Sequence, residues 1–139
     1  MQALAIIGVI LAMLIGLIAL ASGLGLVALP YEMFELKSRT PVLFTAHMLA
    51  SSLALLLAPA VIAVRHRRQL HRRLGQLLGA FVVIGGLSAF PVAYVSHSPA
   101  LARLGFAVQG TVWLTLILLA VLAIRRGDVV RHVTLMLAM

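Results

Sequence analysis

The sequence predicts an all-α integral membrane protein: a four-transmembrane-helix up-down bundle with a short C-terminal helical stub. Three observations lead there. Of 139 residues, 63% are hydrophobic and 10% charged, against roughly 45–50% and about 25% in an ordinary soluble chain. A small soluble domain has too little interior to hide that much apolar surface. Apolar stretches long enough to cross the hydrocarbon, about 20 residues each, recur four times. Finally, the basic residues stand in short runs between those stretches, where they act as topology signals.

The elements follow in chain order, within one membrane domain over residues 1–139. An apolar run from Ala3 to Leu29, closed by Pro30, predicts the first helix. It is longer than the apolar core of a signal peptide, roughly 7–15 residues, and lacks a positive leader. A polar connector is expected from Tyr31 to Thr40, carrying Glu32, Glu35, Lys37 and Arg39. Pro41 suits the first turn of a second helix, where no amide donor is missed. That helix is expected over residues 41–64, with Pro59 bending its last turns. The run from Arg65 to Arg73 reads as a loop, and the third helix is expected over 74–95. Ser96-His97-Ser98-Pro99 makes a turn, and a fourth helix is expected over 101–124. Asp128 is a credible N-cap for a stub over 129–139, which at about 16 Å is too short to span a membrane. Its apolar residues surround the helix, which favours docking against the bundle over lying flat along the headgroups.

Eleven Lys and Arg against three Asp and Glu leave a net charge of +8. Five arginines fall in 65–73 and three in 125–131, at the same end of a third-helix/fourth-helix hairpin. The positive-inside rule makes that end cytoplasmic. The expectation is therefore a multi-pass protein of the bacterial inner membrane with its N-terminus inside. Nucleic acid is not an expected partner, because the basic runs lack interleaved aromatics. The absence of cysteine removes disulfides, thiolate metal sites and thiol catalysis together.

Close helix approach in lipid relies on small residues at matching positions. The first helix offers Gly8, Ala12, Gly16, Ala19 and Gly23, and the third Gly75, Gly79, Gly86, Ala89 and Ala93. Both stripes are expected to be helix–helix contact faces, toward neighbours in the chain or another subunit. Frequent Gly and Ala in membrane helices is the plainer explanation of the same pattern.

Polar residues inside the spans are few. His47 falls two turns into the second helix with Ser51 at i+4, Gln76 near the start of the third, and Gln109 and Thr115 in the fourth. No carboxylate is intramembrane, which argues against proton-coupled transport and carboxylate acid/base catalysis. No Ser/His/Asp constellation occurs, since Asp128 is the only Asp, and there is no phosphate-binding glycine motif, so no enzyme activity is expected. The five histidines are the candidate haem ligands, a role needing two imidazoles across an apolar gap. His71 with His132 is the possible inner pair and His47 with His97 the outer one. The plainer reading makes His66, His71 and His132 interfacial cations, His97 a turn residue, and His47 a polar group tied to a backbone carbonyl or Gln109. Trp113, mid-helix, is expected to pack and not to anchor at an interface.

Several short motifs recur in a known order. They are His47; His71-Arg72 with Leu74-Gly75; Leu104-Gly105-Phe106 with Trp113; Arg125-Arg126; and His132 with Met136. In this the chain resembles, over roughly residues 40–139, the bacterial predicted membrane proteins grouped as domain of unknown function 2306. Leu135 and Ala138 stand where that family usually has tryptophan and arginine, and its chains continue through a further complete helix. The resemblance implies a helical membrane fold and three candidate cofactor-binding positions, His47, His71 and His132, without a reaction. Two functions are expected on these grounds. The first is a non-catalytic accessory or structural subunit of a larger membrane complex, or a self-associating one, without cofactor. The second is a b-type cytochrome-like electron carrier holding haem b.

Overall fold

The computed structural model describes residues 2–139, with side chains from residue 6 onward. The described residues form six helices: α1 (Gln2–Gly23), α2 (Tyr31–Arg39), α3 (Pro41–Ala63), α4 (Arg68–Val95), α5 (Ala100–Arg125) and α6 (Val129–Ala138). Among the described residues there is no strand. Four helices, α1, α3, α4 and α5, are long and apolar enough to cross a membrane, and α6 is the short apolar helix that follows.

Three boundaries differ from the sequence reading, each for a local reason. α1 stops at Gly23, short of residue 29, because Gly25 takes φ +77°. The Leu26 amide then reaches back to the Ala21 carbonyl and the Gly25 amide to Ser22, closing the helix end. Residues 31–39 form a helix where a connector was expected. Glu32 in its first turn and Lys37 and Arg39 in its last match the helix dipole. Glu35 and Arg39 add an i,i+4 ion pair. α4 begins at Arg68, six residues early, so Arg68, Arg72 and Arg73 ride on its first turns. Arginine, glutamine and leucine are good helix formers, and the intervening turn needs only residues 64–67.

Other local signals act as read. Pro41 occupies the first helical position of α3. Asp128 caps α6, its carboxylate accepting the Arg131 amide at 2.9 Å. Gly127, at φ +80°, turns the chain between α5 and α6 with the same pair of reverse hydrogen bonds as the end of α1.

The spans pack in chain order: α1 on α3, α3 on α4, α4 on α5, and α6 back along α5, with α2 lying on α3. α4 is the central element, with 39% of its span buried, whereas α1 at the flank has 17%. The core joins Ala54 and Val61 of α3, Leu78 and Val82 of α4, and Ile117 of α5. Trp113, Met136 and Met139 pack against it, so the stub is docked and does not lie flat. The large apolar residues left exposed, such as Ile15, Ile18 and Leu118, supply the lipid-facing surface that water would not tolerate.

The small-residue positions divide. An added Cβ at Gly16 would meet Leu56 at 3.1 Å, and one at Gly23 would meet Met48 and Leu49 at 3.2 Å, so both seat α1 on α3. At Gly86 it would meet Leu114 at 2.8 Å, which seats α4 on α5. Ala12 and Ala19 are half-buried, and Ala89 and Ala93 are buried. Gly8 and Gly75 meet nothing within 4 Å, and Gly79 only the tip of Ile117 at 3.9 Å. Gly85 and Gly110 carry close approaches that the spacing argument passed over. Gly85 lies outside the i, i+4, i+7 stripe of α4, and Gly110 faces Gly86 from a helix with no stripe of its own.

Candidate functional site

Each of three histidines, His47 and His71 on spanning helices and His132 on α6, is fixed by a neighbouring helix. His47 of α3 sits opposite Gly85 and Ser88 of α4, its Nδ1 3.1 Å from the Gly85 carbonyl oxygen and 3.1 Å from Ser88 Oγ. Two features shape the α3–α4 contact around it. Gly85 lacks a Cβ where one would fall 2.7 Å from Ser51 Oγ. Ser88, itself buried, turns its hydroxyl back onto the Ile84 carbonyl at 2.7 Å. Gln109, a sequence-level candidate partner of His47, is exposed on α5 and takes no part.

His71, in the first turn of α4, has Nδ1 3.0 Å from the Val61 carbonyl oxygen. That carbonyl belongs to the last turn of α3, where helical acceptors run out of amide partners. The Arg65 amide, four residues on, bonds to Ile62 instead. His71 thus caps α3 from α4. His132, in the first turn of α6, has Nδ1 2.9 Å from the Ala120 carbonyl oxygen of α5.

The three bonds share one chemical consequence. A carbonyl oxygen only accepts, so Nδ1 carries the proton in each ring and donates it. In the neutral imidazole Nε2 is then the unprotonated nitrogen, the one that can accept a hydrogen bond or ligate a metal. Two of the histidines tie α3 to α4, His47 within the spans and His71 at the end of α3, and His132 ties α6 to α5. Of the inner pair read from the sequence, His71 spends its Nδ1 on α3 and His132 on α5.

The outer pair, His47 and His97, is separated along α4. Ser88 lies beside His47, and His97 lies nine residues further on, roughly 13 Å at helical rise. There His97 Nε2 accepts from Arg39 at 2.6 Å, and Arg39 also donates to Glu35 at 2.5 Å. His97 Nδ1 is 3.9 Å from the second Glu35 oxygen. This cluster pins α2 to the α4–α5 turn over a hollow of about 130 Å³ lined by Glu32, Glu35, Arg39 and His97. His97 is mostly exposed, and surface ion pairs of this kind contribute about 0–1 kcal/mol. The sequence held the signal for it, since Glu35 and Arg39 are one helical turn apart. Reading 31–40 as a connector concealed it.

His66 lies on the exposed turn before α4, its Nε2 accepting from Arg65 Nε at 3.4 Å. Among the described residues no group of three histidines or carboxylates is arranged to hold a metal ion. No buried side-chain nitrogen or oxygen among them lacks a hydrogen-bond partner.

Known families bear on this geometry. The family model described as predicted membrane protein (DUF2306) matches residues 44–139, a stretch that contains His47, His71 and His132. No curated protein and no solved structure matches the chain.

Proposed function

The chain belongs to the DUF2306 family of predicted membrane proteins, and we propose that it works as a non-catalytic structural subunit of a membrane assembly. The observation that carries this reading is the use of the intramembrane polar groups. His47, His71 and His132 each spend Nδ1 on a carbonyl of an adjacent helix. Such bonds fix helix register in a solvent where packing has no hydrophobic drive of its own. Among the described residues no carboxylate accompanies them inside the spans. A rigid, lipid-embedded scaffold is what this arrangement can provide. Its partner is another membrane chain or a second copy, reached through the lipid-facing surfaces of the outer helices. Five arginines in residues 65–73 orient it with that end and the N-terminus in the cytoplasm of a bacterial inner membrane.

The test is native mass spectrometry of the chain extracted in mild detergent from the cells that make it. The expected result is an assembly of fixed stoichiometry containing more than one chain. A monomer under conditions that preserve known membrane complexes contradicts the reading.

A second reading has one specific observation behind it. Histidines that ligate metals characteristically give their other ring proton to a carbonyl or carboxylate, and His47, His71 and His132 do so. Haem b on one of them, with the second ligand from a neighbouring subunit, is an electron-carrier alternative. A haem spectrum lost on His47→Leu, His71→Leu or His132→Leu supports it.

A further inference from the structure

The arginine-rich end of the molecule carries charge that the chain itself leaves unbalanced. Arg65, Arg67, Arg68, Arg72 and Arg73 stand within nine residues, and all five are exposed. Arg125, Arg126 and Arg131, also exposed, come to the same end because α5 runs antiparallel to α4. Among the described residues the ion pairs lie at the opposite end, around Glu35. Asp128, the one acid near the arginines, is engaged with the Arg131 amide.

Within this patch Arg67, Arg68 and Arg73, with Gln69 and Leu70, line an open hollow of about 500 Å³. An apolar stripe leads away from it along α4. Leu70, Leu77, Ile84 and Leu87 are 37%, 52%, 46% and 58% exposed. Spacings of seven, seven and three keep them on one helix face with slow drift. A cationic hollow at the membrane surface that runs straight into an exposed hydrocarbon track matches a molecule with an anionic head and long tails. Arginine suits the head, because its planar guanidinium binds phosphate oxygens in pairs.

We propose that this hollow and stripe form a binding site for an anionic phospholipid. The phosphate sits among Arg67, Arg68 and Arg73, and an acyl chain follows Leu77, Ile84 and Leu87. Charge decides this occupant over a second copy of the chain. Two copies joined on this face about an axis along the membrane normal would bring their arginine clusters together at one depth, like charge beside like. The site is independent of the structural-subunit reading, since a lone monomer would hold the lipid equally well.

The experiment uses the full chain in detergent, offered equal phosphatidylglycerol and phosphatidylcholine with identical acyl chains, with retained lipid counted by native mass spectrometry. The expected preference for phosphatidylglycerol is about fivefold, the worth of one arginine at an anionic surface. Combined Arg67→Gln, Arg68→Gln and Arg73→Gln should abolish it, the three Lys substitutions should keep it, and Arg125→Gln with Arg126→Gln should leave it within about twofold. If the triple Gln variant fails to fold, raising salt severalfold on the parent must erase the preference, because exposed charges are screened. Equal retention of the two lipids by the parent overturns the proposal, as does an unchanged preference in the triple Gln variant or at high salt. Displacement of the lipid by millimolar inorganic phosphate would reassign the hollow to a free anion. A lipid-free dimer would give the face to a second copy.

Discussion

At the scale of single residues, the histidines matter through one nitrogen each. Removing the His71 ring leaves the Val61 carbonyl at the end of α3 without its donor. An unpaired buried acceptor costs about 1–3 kcal/mol, and the half-buried position of His71 places the expected loss for His71→Leu near the lower limit. Thermal unfolding in detergent should show that loss, and His71→Gln, which restores a donor, should recover part of it. Equal stability of His71→Leu and the parent would remove the capping role. The sequence reading placed His47 in the membrane and required a hydrogen-bond partner for it, offering a backbone carbonyl as one. It could not identify Gly85 and Ser88, because their depth opposite His47 depends on where α4 starts. The early start of α4 at Arg68 is a boundary that arginine-rich helix ends hide.

At the scale of elements, close packing distinguishes glycines that one stripe rule treats alike. Gly86→Leu must force Leu114 aside from 2.8 Å, and overpacking of this kind costs about 1–3 kcal/mol. Gly16→Leu should act similarly through Leu56. Gly8→Leu, into open space, should leave stability within about 0.5 kcal/mol. Gly79→Leu should be mild for the same reason, since Ile117 approaches only to 3.9 Å. Unfolding midpoints of the four variants check the order; a Gly8 effect as large as that of Gly86 would contradict the packing. Helical spacing tells which residues share a face, and it does not tell where along that face the neighbour crosses. α6 depends on its cap as well as its docking. Asp128→Ala should cost about 1 kcal/mol and loosen Met136 and Met139 from the core, which hydrogen exchange across 129–139 would register.

At the scale of the whole molecule, composition alone carried the fold class, because 63% hydrophobic residues in a chain this short require lipid. The four spans were legible for the same reason: hydropathy acts over twenty residues and tolerates boundary errors of six. α2 was not legible, since its helix rests on a dipole match and one ion pair, signals too short-ranged to stand out beside a proline-bounded polar stretch. Orientation is open to direct measurement because the chain has no cysteine of its own. A single Gln69→Cys should stay unlabelled by an impermeant thiol reagent in intact cells and react once they are broken. Labelling from outside would invert the proposed topology. The central claim is that His47, His71 and His132 hold helices together and carry no cofactor. Its most direct test is the reduced-minus-oxidised absorption spectrum of the protein purified from its own cells. The account predicts a featureless difference spectrum, whereas haem bands that disappear on replacing any one of the three histidines would contradict it.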